Sequence, residues 1–337
     1  VPALAQLPPS DGRPDLLVLR AIKLGDVLVG VPALRALRRS FPDHRIALAT
    51  TAWLAPLVEL LPVDVHIAQH GLDHPIAAPD AQIDIAVNLH GSGPESADLI
   101  EALGAHREIR HARPDEAPGS PHPPWVRGVH ERARWADLMT AHGIPANADD
   151  VAIAVPSTPP MVGDAAIVHV GAFYGARHWP VDRFAAVARS LAQNGEHVVV
   201  TGGAEDRDRA LAVARQAGLS EDSVLAGRAD LTAFAALIAA ARAVVTVDTG
   251  AAHLASAYGR PSVVLFGPAL PEEWGPPASG PHVVLTDARV RRGDVFASDP
   301  DPALLAVTPD DVLEALAGVI DRPTLRDRQA AGRSLDR

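Results

Sequence analysis

Four clusters place charged and hydroxyl side chains next to glycine at spacings that suit ligand chemistry. In Lys23-Leu-Gly-Asp26, a short apolar run ends and a helical pattern starts. Gly25 lets a ligand approach the backbone, and Asp26 brings a carboxylate to a strand end, the edge where open parallel sheets bind ligands. The same spacing also suits an aspartate that only caps the helix. In Thr246-Val-Asp-Thr-Gly-Ala-Ala-His253, a strand runs straight into a helix whose first turn holds Asp248, Thr249 and Gly250. Free N–H groups and the positive dipole end there favour a diphosphate, and the His253 ring lies one turn further on. A capped helix with a packed histidine is the competing reading.

Gly171-Ala-Phe-Tyr-Gly-Ala-Arg-His-Trp-Pro180 is a glycine-containing loop ahead of a proline-started helix. Arg177 stands where a guanidinium could grip a phosphate with two prongs, whereas Trp179 is expected to pack between helix and sheet. In Thr201-Gly-Gly-Ala-Glu-Asp206, a glycine pair followed by acids can accept hydrogen bonds from a ribose, which makes Asp206 a candidate. Leu89-His-Gly-Ser-Gly-Pro94 reads first as a solvated turn, with His90 and Ser92 as candidates to line a second pocket.

Several familiar chemistries are missing. The chain lacks the Gly-x-Gly-x-x-Gly dinucleotide fingerprint, the phosphate-binding Gly-x4-Gly-Lys-[Ser/Thr] loop, the Gly-x-Ser-x-Gly elbow and the His-Glu-x-x-His zinc helix. It has no cysteine, so thiolate zinc sites, iron–sulfur clusters and cysteine nucleophiles are excluded. His66, His70 and His74 are spaced like ligands, but Gly71 and Pro75 break any shared helix face, and no metal is expected.

The elements that must hold these clusters follow from hydrophobic pattern. The 337 residues are 47% hydrophobic and 21% charged, enough apolar surface for two ordinary domains. Strands are predicted at 15–20, 45–50, 64–67 and 83–89, and again at 165–170, 197–201, 243–247 and 262–266. Helical patterns alternate with them, among them one from Asp26 to about residue 40 in which Pro32 sits awkwardly. That alternation predicts parallel sheets covered on both faces. Residues 111–124, rich in proline, form a loop, and the tail after Pro309 is helical. The predicted organisation is an N-terminal domain over 1–155, a linker over 156–164 and a C-terminal domain over 165–337, whose last helix can return to the first domain.

The formal charge is −11 and both halves carry more acid than base, so nucleic acid is not an expected partner. The first residues lack the pattern of a secretory signal, and a cytoplasmic location is expected.

Leu19-Arg-Ala-Ile-Lys-Leu-Gly-Asp-Val-Leu-Val-Gly-Val-Pro-Ala-Leu34 resembles the opening motif of glycosyltransferase family 9, the ADP-heptose:lipopolysaccharide heptosyltransferases. Val247-Asp-Thr-Gly-Ala-Ala-His-Leu-Ala255 with Val264-Leu-Phe-Gly-Pro268 resembles their second signature, and Arg177-His-Trp-Pro180 resembles the intervening one, with arginine in place of the usual lysine.

The resemblance implies an α/β GT-B fold, two Rossmann-like domains facing across a cleft, and an inverting, metal-independent transferase without cofactor. It implies Asp26 as general base. It places Arg177, Asp206, Asp248, Thr249, Gly250 and His253 around an ADP-heptose donor. Lys23, Gly25, His90 and Ser92 are expected on the acceptor side. The acceptor would be a hydroxyl of a glycolipid or small molecule, with peripheral contact at the inner membrane face allowed. Two other readings stay open: a transferase of natural-product or other glycan synthesis using a different nucleotide sugar, and a GT-B-like sugar-nucleotide epimerase.

Overall fold

Short runs of aliphatic and β-branched residues, closed by glycine, proline or polar pairs, form two all-parallel sheets in the computed structural model. It describes residues 3–78, 81–117 and 119–320. The chain divides between Ala154 and Val155 into two units.

The first unit holds β1 (Ala3–Leu4), β2 (Asp15–Leu19), β3 (Arg45–Thr50), β4 (Val65–Ala68), β5 (Ile83–Asn88) and β6 (Arg107–Ile109) in the order β1-β4-β3-β2-β5-β6. The second holds β7 (Ala166–His169), β8 (Val198–Thr201), β9 (Ala243–Val247), β10 (Ser262–Leu265) and β11 (His282–Leu285) in the order β11-β10-β9-β7-β8. Every residue of β2, β3, β8, β9 and β10 is buried, as continuous apolar strands covered on both faces require.

With the two-residue edge strand β1 set aside, each order reverses direction once. In the first sheet the reversal lies between β2 and β5, and in the second between β7 and β9. Such a switch point opens a crevice beyond the carboxyl ends of the strands, because the flanking loops leave in opposite directions. The Lys23–Asp26 and Leu89–Pro94 clusters follow β2 and β5, while the Arg177 loop and Asp248–His253 follow β7 and β9. Both crevices are therefore furnished by residues that the motifs had singled out.

The helix expected from Asp26 onward is two helices, Leu24–Val29 and Val31–Ser40, separated at Gly30. Pro32 falls in the first turn of the second, where its missing N–H costs nothing. The expected strands omitted β1, β6 and β11, which lie at sheet edges. β1 has two residues and β6 three, too few for an alternation to register, and β11 follows a proline- and glycine-rich stretch.

The 111–124 segment carries no helix or strand among the described residues, and none occurs between Ala141 and Ala166 either, a span that contains the expected linker. The helix Pro309–Ile320 packs Val312, Leu316 and Val319 into the core of the second unit beside Trp179 and Phe184. The return of the C-terminal helix to the first domain falls on residues 321–337, outside the described residues. Among the described residues no helix is long and apolar enough to cross a membrane.

Candidate functional site

In the first unit, β2 delivers the chain to a six-residue helix whose Val27, Leu28 and Val29 are buried. Burial of that face fixes the turn carrying Gly25 and Asp26. The capping position is Lys23, extended and exposed, whose side chain makes no cap bond to the helix; Asp26 is half-buried three residues in.

Across the switch point, Asn88 at the end of β5 accepts hydrogen bonds from the backbone N–H of His90 (2.9 Å) and Gly91 (3.4 Å), and donates to Ser96 Oγ at 3.0 Å. This Asx turn sets the His90–Gly93 loop. Burial, with a smaller contribution from the Arg20 charge, pushes the His90 imidazole down to about 4, so the ring is neutral near pH 7. Its Nδ1 is buried without a protein partner.

Arg20, immediately after β2, lies under both loops with 1% of its surface exposed. Its Nε donates to the Asp26 carbonyl at 2.5 Å, Nη1 donates to the Leu89 carbonyl, and the guanidinium carbon stands 4.8 Å from the centre of the Trp135 ring. Trp135 meets Trp125 edge-on at 5.8 Å, and Arg134 covers Trp125 at 3.8 Å. Beyond them a cavity of about 720 Å³ is lined by Ser92, Arg113, Glu116, His122, Trp125 and Arg127, among others.

In the second unit, Arg177 follows β7 in a single 3₁₀ turn, Gly175–Arg177. That turn is held from behind: the Ala176 N–H donates to the Ala297 carbonyl (2.9 Å), and the Asp301 N–H to the Ala176 carbonyl (3.0 Å). A Cβ on Gly175 would lie 1.7 Å from the Ser298 carbonyl oxygen, so no side chain fits there. Asp301 is fully buried and accepts from the N–H groups of Arg292, Gly293 and Ala303.

So supported, Arg177 reaches across to the end of β9. Nη1 donates to the Asp248 carbonyl at 3.2 Å and Nη2 lies 3.4 Å from the Asp248 carboxylate, while Nε is buried without a protein partner. Thr249 caps the helix Gly250–Ala257 with extended backbone and no side-chain cap bond; its hydroxyl meets that of Thr246 at 3.1 Å. His253 is buried in the same helix. An unpartnered guanidinium N–H beside a helix N-terminus is what an incoming oxyanion requires.

Around β8, Asp206 turns back to accept from the Gly203 N–H at 2.8 Å, is mostly buried, and has its carboxyl pushed up by that burial. It closes the glycine turn. The acid of the pair that stands exposed is Glu205, whose carboxylate folds over Gly203. His169 pairs with the Thr201 hydroxyl at 3.0 Å, and burial pushes its imidazole down to about 4.

Trp179 packs against Phe184 and donates to the Val307 carbonyl at 3.2 Å, as its structural reading required. Among the described residues no three His, Cys, Asp or Glu side chains converge as metal ligands would. His66 lies buried in β4, and the rings of His70 and His74 sit 6.3 Å apart.

Sequence reasoning expected Arg177 and Asp248 around one ligand, and the two residues touch. It missed Arg20, whose burial no local pattern announces, and Glu205, the neighbour of a residue it named. It also missed an aromatic group on the Arg177 loop: Tyr174 meets Phe173 at 4.8 Å and Phe296 at 5.1 Å, both phenylalanines being more than two-thirds exposed. Phe296 could not have been found from spacing, for it comes from a distant loop.

The model of the family described as glycosyltransferase family 9 (heptosyltransferase) matches residues 147–291. Lipopolysaccharide heptosyltransferase 2 of Salmonella typhimurium is 26% identical over 90% of this chain and 98% of its own. The crystal structure of a family 9 glycosyl transferase from Veillonella parvula superimposes with a TM-score of 0.73 at 19% identity, over 94% of this chain and 99% of that one. Escherichia coli heptosyltransferase WaaC, solved with ADP-2-deoxy-2-fluoro heptose, gives 0.64 at 18% identity over 90% and 99%. These structural likenesses span both units, and the fold is GT-B, two Rossmann-like α/β units in one chain.

Proposed function

Because the chain belongs to glycosyltransferase family 9, we propose that it transfers a heptose from an ADP-sugar to an acceptor hydroxyl, with inversion and with Asp26 as general base. The observation that carries this reading is Arg177, fixed on Asp248 at the start of the Gly250–Ala257 helix with a buried N–H left over.

In the proposed step the acceptor oxygen attacks the anomeric carbon as Asp26 takes its proton. The bond from that carbon to the diphosphate breaks, and ADP leaves with the electron pair. Arg177 and the N–H groups of Thr249 and Gly250 meet the negative charge gathering on the diphosphate, which is where a preorganised cation and helix end count most. A positioned base contributes about 10²–10⁴-fold to such a step. Asp248 and His253 complete the donor site. Asp206 shapes the glycine turn, and Glu205 is the acid available to the ribose. Lys23, Gly25, His90 and Ser92 serve the acceptor. The ADP-sugar analogue bound by WaaC supports the donor class, and the Salmonella enzyme's name supports lipopolysaccharide as acceptor. The chain would work in the cytoplasm, with peripheral contact at the membrane face where a glycolipid acceptor is presented.

One observation favours a different acceptor. At the cavity beside Ser92, Arg113 is engaged by Asp98 (2.6 Å), Glu101 (3.3 Å) and Asp115 (3.2 Å), and Arg110 by Glu108 (3.0 Å), Glu101 (3.4 Å) and Glu116. The five acids already compensate these two arginines, so among the lining cations Arg113 has little charge to offer a multiply phosphorylated ligand, which suits a neutral glycan, although Arg127 also lines the cavity.

The test is transfer from ADP-heptose to methyl glycosides of heptose, mannose and glucose, with phosphorylated counterparts in parallel, the product anomer being read by NMR. Formation of the inverted glycoside is expected, and ADP-heptose consumption without glycoside, or retention, would refute the proposal. Preference for phosphorylated glycosides would remove the neutral-acceptor reading alone.

A further inference from the structure

A buried guanidinium needs a reason, because several kilocalories of solvation are lost when such a group leaves water. Arg20 is fully buried, and its hydrogen bonds go to two backbone carbonyls, those of Asp26 and Leu89. These lie on opposite sides of the switch point of the first sheet, one in the helix after β2 and the other just beyond β5. The aromatic face of Trp135 brings in a third segment, the helix Glu131–Ala141.

The backbone is shaped around this side chain. A Cβ on Gly30 would lie 2.9 Å from Arg20 Cδ and 3.0 Å from Nε, so the break between Leu24–Val29 and Val31–Ser40 coincides with the space the guanidinium stem occupies. Asp26 and Glu131 are the acids whose charges favour the cation, while burial opposes it and pushes it down to about 10. The neutral His90 also feels the Arg20 charge.

We infer that Arg20 is a positioning residue for Asp26. Its two carbonyl bonds lock the turn that carries the base to the end of β5, and its charge favours the carboxylate form of that base. The inference rests on the reading of Asp26 given above. Lysine could not replace it, because a single ammonium on a flexible stem lacks the planar fork that serves two carbonyls on separate segments.

The experiment follows the Asp26 carboxyl by ¹³C NMR titration, assigned with Asp26→Asn, in the parent protein, Arg20→Lys and Arg20→Met. It is paired with kcat and KM for transfer to the methyl glycosides. Arg20→Met is expected to raise the Asp26 pKa by about one unit or more and to lower kcat about 10²-fold, with the KM for ADP-heptose within about threefold. Arg20→Lys is expected to keep the Asp26 titration near that of the parent but lose about tenfold in kcat.

An Arg20→Met protein that folds and binds ADP, with Asp26 titrating and turning over as in the parent, overturns the inference. Should that variant fail to fold, parental kcat in Arg20→Lys overturns it. The titration needs no turnover: parental transfer by Asp26→Asn would instead sink the base assignment, and the role of Arg20 with it.

Discussion

Arg177 and Asp248 join the two strands that flank the switch point of the second sheet, through a 3.2 Å bond to the Asp248 carbonyl and a 3.4 Å approach to its carboxylate. The pairing has two effects. It aims the guanidinium at the helix N-terminus, and it neutralises a carboxylate that is only 5% exposed. In the proposed donor site, removing the arginine would therefore do more than delete a phosphate contact, since an uncompensated negative charge would then face the diphosphate.

Arg177→Ala is accordingly expected to weaken ADP binding at least about tenfold, and Arg177→Lys less, because lysine keeps the charge without the fork. Isothermal titration with ADP measures both. Unchanged affinity in Arg177→Ala would remove this residue from the donor site.

Asp26→Asn is expected to keep ADP affinity within a few-fold while losing at least about 10²-fold in transfer rate. The amide preserves shape and cannot accept the proton. Equal rates in single-turnover assays would rule out a base at this position.

At Gly30 a loss of stability is expected from the smallest possible change. Gly30→Ala forces a methyl group against the Arg20 stem, and an overpacked site of this kind costs about 1–3 kcal/mol. Chemical denaturation measures the loss. A variant as stable as the parent would show that Arg20 has room to move, which its burial argues against.

His90 and His169 are both pushed down to about 4 by burial, whereas an unfolded chain protonates histidine near its ordinary value of 6.5. Between those values the unfolded state binds more protons, so stability rises with pH through the interval and falls as the solution is acidified from about 6.5 towards 4. Melting temperatures over that range are expected to drop, and His169→Gln is expected to flatten the dependence. A parent protein whose melting temperature is constant from pH 7 to 4.5 would contradict the burial of both rings.

What could be read from the sequence was position along the strands. The apolar runs located β2, β5, β7, β8, β9 and β10 to within a residue or so, and the clusters at their carboxyl ends fell where parallel sheets bind ligands. Lys23–Asp26 and Asp248–His253 were legible because each joins a strand to a helix within a few residues. Side-chain direction was not legible, since it is decided by packing. Glu205 and Asp206 are adjacent acids after the same glycine pair, yet one stands exposed and the other folds into the turn. Arg20 looked like any arginine after a strand. Its role depends on Leu89 and Trp135, residues 69 and 115 positions away. The break at Gly30 has the same origin: a helical pattern does not reveal that a guanidinium must pass beside it.

The proposed ADP-sugar donor site on the second unit can be probed by calorimetric titration with ADP, UDP, GDP and dTDP, without added metal. ADP is expected to bind selectively at micromolar concentration, and Arg177→Ala to weaken that binding. Selective binding of another nucleoside diphosphate, or ADP affinity indifferent to Arg177, would contradict it.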